Sequence, residues 1–169
     1  MSATRPTDAP RYSQRPFPPY RHVPGETPHP RRDPGGYSHG RSEPSVPPWD
    51  PAGWRELDLW LHAVDLFNHG YWWEAHEALE ALWHAAGRTT PEARFVQGLV
   101  LVAAGYLNRA RGKRTATRQV ERGLRRMEAV APGVYLGLDV PSFARAVRDD
   151  LADQGPPASI RLAGARAPR

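Results

Sequence analysis

The segment Tyr71 to Trp83, YWWEAHEALEALW, gathers residue types that can do chemistry. At about 100° per residue, His76, Glu80 and Trp83 fall in one arc of a helix, with Trp73 beside them and Glu77 at the border. An imidazole and a carboxylate one turn apart can share a divalent metal ion, or the carboxylate can orient the imidazole as a general base. The candidate metal ligands are thus His76 and Glu80. The candidate catalytic groups are His76, Glu80 and an assisting Glu77. The letters HExxE lack the second histidine of zinc-protease helices, so two ligands from one helix leave a metal site short.

A second line of polar residues lies downstream. In FVQGLVLVAAGYLNRAR, Gln97, Leu101, Ala104 and Asn108 align, placing two amides on an otherwise apolar helix. Gly98 and Gly105 flank that line and allow a neighbouring helix to approach closely. If the 71–85 helix is that neighbour, His76 and Glu80 face Gln97 and Asn108. The cleft then comprises Trp73, Glu74, His76, Glu80, Trp83, Gln97 and Asn108. It is either a buried polar network that fixes helix register, a metal or acid–base site, or a ligand pocket without chemistry.

The elements that must position these residues read as helices throughout. Asp50-Pro51 supplies a cap and first turn, and Leu57, Trp60, Leu61, Val64 and Phe67 recur at three and four residues until Gly70. The second helix runs from Tyr71 or Trp72 to about Ala85, with Gly87 as its stop. Thr90-Pro91-Glu92 opens a third, apolar around most of its circumference and therefore central, that continues to Gly112. A fourth spans roughly Thr115 to Val130, and a fifth opens at Pro141 or Ser142, with Phe143, Ala146, Val147 and Leu151 on one face. The fold class is all-α: a compact antiparallel bundle of about five helices over residues 49–152.

The flanks differ in composition. Twelve of the nineteen prolines fall in residues 1–48, without helical or strand period, which predicts a disordered Pro/Arg-rich tail; residues 153–169 read as a flexible C-terminal tail. The net charge of +5 also resides there, since residues 49–150 hold thirteen basic and thirteen acidic side chains. Within that neutral core, Arg109 to Arg126 carries eight basic residues and one acid, Glu121. Arg118, Arg122 and Arg125 form one outer face, the candidate anion-binding surface. It can meet phosphates, an acidic protein or the acidic face of a second copy, or be a plainly solvated face; no nucleic-acid motif or aromatic interleaving accompanies it, so the solvated face is the first expectation and a nucleic-acid partner is not expected.

The absence of cysteine excludes disulfides, thiolate zinc sites and a cysteine nucleophile. The longest apolar run, Gly98 to Leu107, is far short of a membrane span, and no signal-peptide h-region opens the chain. A cytoplasmic, non-membrane bacterial protein is expected, with no cofactor predicted beyond a divalent metal.

The run LFNHGYWWEAHEALEALWHAAG, followed by RFVQGLVLVAAGYLNRARGK and a later GLD, resembles the prokaryotic family known as domain of unknown function 309, from near Leu57 to near Val147. The resemblance implies a small all-helical domain without an established activity. Its signature maps onto Phe67, Asn68, Gly70, Tyr71, Glu74, His76, Glu77, Glu80, Trp83, Arg94, Gln97, Gly98 and Gly112. The family commonly has histidine where this chain has Asn108, and often asparagine where it has Lys113. A ligand or base supplied from position 108 would be missing here. The functional expectation is a small binding or interaction module with a His/Glu/Trp cluster between two helices. The alternatives are a metal-dependent hydrolase-like enzyme using His76 and Glu80 and an anion- or nucleic-acid-associated protein using the Arg face.

Overall fold

A computed structural model describes residues 9–42, 45–153 and 158–165. The fold is all-helical, as predicted, with one small hairpin. A 3-10 turn over Pro51–Glu56 precedes α1 (Asp58–Asn68), α2 (Trp72–Ala85), α3 (Pro91–Ala110) and α4 (Ala116–Val130). Strands β1 (Val134–Tyr135) and β2 (Leu138–Asp139) then lead into α5 (Val140–Leu151).

The predicted boundaries follow from local chemistry. Thr90 accepts from the Ala93 amide ahead of Pro91, and Gly70 takes φ +80° so that the Tyr71 amide can close on the Leu66 carbonyl at 2.8 Å. Two starts differ from expectation. Asp50 caps a 3-10 turn rather than α1, because Gly53 is non-helical and Trp54 is turned into the core. For α5 the cap is Asp139, accepting from Ser142 N at 3.1 Å, so the helix begins at Val140, one or two residues before the expected opening.

The central helix is α3, as its apolar circumference requires. It packs most extensively on α4 and next on α2, and large rings carry α1 to it: Trp60 to Phe95 and Phe67 to Tyr106. The close approach marked by the glycines is made to α4. A Cβ on Gly98 would stand 2.8 Å from the Gly123 carbonyl oxygen, and one on Gly105 would meet Val120. The neighbour considered from the sequence was α2; the structure places α4 there instead. Gly123, on the facing surface of α4, decides it by allowing the two backbones to meet.

Among the described residues, the flanking segments contain no helix or long strand, but they are bound to the domain. Asp65, fully buried on α1, accepts the Tyr12 and Ser13 amides at 2.8 Å each and Arg11 Nε at 3.3 Å. Glu74, buried on α2, accepts the His22 amide at 2.8 Å and the Tyr37 hydroxyl at 3.1 Å. Where a flexible tail was expected after residue 152, residues 158–165 return to the bundle. Asn68 grips Ile160 by both amide groups (2.6 and 2.8 Å), Asp150 accepts Ala158 N at 2.8 Å, and Leu162 bridges Leu138. Buried polar side chains on helices need partners, and these segments supply them. Expectations for residues 1–8, 43–44, 154–157 and 166–169 lie outside the described residues.

Candidate functional site on the outer face of α2

Helix α2 turns Ala75, Leu79 and Leu82 into the core, so the stripe carrying His76 and Glu80 is rotated away from α3. The side chains of His76, Glu77 and Glu80 are 27, 29 and 38 % exposed. The expected polar cluster between the second and third helices is therefore not formed. Gln97 bonds Arg126, and Asn108 donates to Gln119 Oε1 at 2.7 Å, both partners on α4. The reason is that α4 takes the glycine-lined face of α3 beside these amides. Position 108 thus bonds across to α4 and away from the α2 stripe. Its asparagine removes nothing from His76.

What the structure does bring together is His76, Glu77 and Glu80. His76 Nδ1 lies 3.5 Å from Glu77 Oε1 and 4.0 Å from Glu80 Oε2, and one ligand atom from each residue falls within 4.8 Å of the others. Two ligand atoms on a tetrahedral ion, each about 2 Å from it, stand about 3.3 Å apart. Small rotations of exposed side chains would close the remaining distance. Burial pushes the Glu77 carboxyl up, but the bond and charge of His76, with Arg31 and His29, outweigh it and hold the group below the usual glutamate range.

One turn earlier on the same helix, Trp73 meets the N-terminal segment. Its ring stands 4.9 Å from that of His22 and 5.3 Å from that of His29, both edge-on. A cavity of about 370 Å³ opens here, with Thr27, Arg32 and Asp33 also in its wall. Since His29 and Arg31 act on Glu77, the cavity and the carboxylate cluster share one face of α2.

The other candidates separate from this site. Glu74 is a buried anchor for the N-terminal segment, with a carboxyl raised by burial against the lowering effect of the His22 amide. Trp83 lies half-buried at the far end of α2, beside His84 and under Arg88. Arg118, Arg122 and Arg125 are exposed on α4. Sequence reasoning missed His22, His29 and Asp33, which lie in a segment without period. It also missed Asp65, and named Asn68 only as a signature position without a role, although the signal was present: polar residues on the apolar arc of the first helix, adjoining Val64 and Phe67.

No curated protein matches the chain. Residues 60–120, from Trp60 in α1 to Val120 in α4, match the family model described as Domain of unknown function (DUF309); this stretch, which contains the whole α2 cluster, is similar to that family.

Proposed function

We propose that the domain is a binding module whose ligand is a divalent transition-metal ion, held on the outer face of α2 by His76, Glu77 and Glu80. The observation that carries this reading is the convergence of three ligand atoms within 4.8 Å. One imidazole and two carboxylates suit zinc and its first-row neighbours better than magnesium or calcium, which take oxygen ligands. Three protein ligands leave a coordination position for water or for a donor atom of a small ligand in the adjoining cavity. With Glu77 ligating, no carboxylate of the cluster remains as a base, so the role proposed is binding rather than hydrolysis.

The test uses full-length protein purified without a histidine tag and dialysed against zinc, manganese or nickel salts. About one ion per chain is expected, with affinity reduced at least tenfold in His76→Ala and in Glu80→Gln, as loss of a ligand requires. Both side chains are partly exposed, so the fold should be unaffected by circular dichroism. Stoichiometry below 0.1, or equal affinity in the variants, would overturn the proposal.

A further inference from the structure

Helix α4 carries six charged side chains with an unequal fate. Its two acids, Glu121 and Glu128, turn to α5, where the guanidinium of Arg148 clamps both. Arg148 reaches Glu121 at 2.9 and 3.1 Å and Glu128 at 2.9 and 3.1 Å. This fork offsets one of the two negative charges and draws both carboxylates toward α5, while Arg125 also acts on Glu121 through its charge. Of its arginines, Arg126 turns inward to Gln97, whereas Arg118, Arg122 and Arg125 are exposed and make no hydrogen bond or ion pair among the described residues. Lys113 and Arg114 extend the positive surface in the turn before the helix.

Positions 118, 122 and 125 lie within about 60° of one another around the axis and span about 10 Å along it. The result is a row of three exposed arginines along one face of the helix. We infer that this face binds the phosphate backbone of a nucleic acid, without sequence preference. Guanidinium favours phosphate because its planar fork donates to two oxygens at once. The exposed positions that flank the row, Thr117 and Ala129, offer one hydroxyl, which bonds donors and acceptors alike, and one methyl, so the contact is chiefly electrostatic. A membrane surface is a poorer match: the one exposed large apolar side chain among the described residues, Val134 at 62 %, lies beyond the helix and provides no apolar face to enter lipid.

The test is fluorescence anisotropy of the full chain with a labelled 20-base-pair duplex, a single strand of equal length and anionic phospholipid vesicles, between 50 and 200 mM salt. The comparison is the R118Q/R122Q/R125Q variant, whose changes are all at exposed positions. Three phosphate contacts give a slope of log affinity against log salt of about −2.7 on duplex, and the variant should lose that much of the slope and at least tenfold in affinity at 50 mM. The tails also carry arginine, and the difference between the two proteins isolates the α4 contribution. Equal binding by wild type and variant, no binding at 50 mM salt, or binding to vesicles alone would overturn the inference.

Discussion

Substitution of Asp65 by alanine tests whether the N-terminal segment is part of the folded domain. The carboxylate is fully buried and accepts two peptide N–H groups at 2.8 Å and Arg11 at 3.3 Å. If residues 11–13 stayed in place without it, two stranded donors would cost about 1–3 kcal/mol each. The segment can instead lift away. The loss is then the net worth of two charge-assisted bonds, about 1.5–3 kcal/mol each, less what the protein recovers by no longer burying a carboxylate. That recovery is real, because burial raises the Asp65 carboxyl above its ordinary range against the lowering effect of both amides and Arg11. The expected balance is about 2–4 kcal/mol, felt locally. Amide hydrogen exchange read by mass spectrometry should show residues 9–22 exchanging about 30- to 1,000-fold faster in Asp65→Ala, with α3 little changed. Unprotected amides at Tyr12 and Ser13 in the wild-type protein, or equal exchange in both proteins, would refute the reasoning.

Two further outcomes are expected. Gly123→Ala would place a Cβ 2.5 Å from the Gly98 carbonyl oxygen, so α3 and α4 must separate; stability should fall by about 1–3 kcal/mol despite the better helix propensity of alanine, whereas Gly133→Ala, in open space, should be near neutral in thermal melts. His62 is pushed down to about 4, first by burial and then by Arg15, so it folds in its neutral form. The unfolded chain therefore binds the extra proton as pH falls from about 6.5 toward 4, and the native state loses stability across that window. Denaturant titrations should show this loss reduced in His62→Gln relative to wild type.

Much of the architecture was legible because helices announce themselves by period and punctuation. The recurrence from Leu57 to Phe67, the Thr90-Pro91 start and the stops at Gly70, Gly87 and Gly112 each correspond to an observed boundary. Partner choice was not legible. Gly98 and Gly105 mark a close approach on α3, but nothing local to them distinguishes α2 from α4; the deciding residue, Gly123, is on another helix. The hairpin was hidden by its size. Its turn puts Leu136 and Gly137 at positive φ, and only the glycine signals that conformation.

The site was half legible for a related reason. Residue types and spacing on α2 singled out His76, Glu77 and Glu80 without showing which way they face. Ala75, Leu79 and Leu82 hold the inward side, and this leaves the cluster at the surface. The N-terminal wall of the cavity was not legible at all. Its attachment runs through backbone amides at Tyr12, Ser13 and His22, which every residue possesses, to carboxylates on α1 and α2. Composition alone reads such a segment as solvated. The buried acids that receive it were the overlooked signal.

The most direct measurement of the central claim is anomalous diffraction from crystals of untagged protein grown with zinc, collected on both sides of the zinc absorption edge. One strong peak per chain is expected, about 2 Å from His76 Nδ1 and from a carboxylate oxygen of each of Glu77 and Glu80, and it should be lost in Glu80→Gln. A peak elsewhere on the chain, or none beside α2 at full zinc loading, would rule out the metal site on α2.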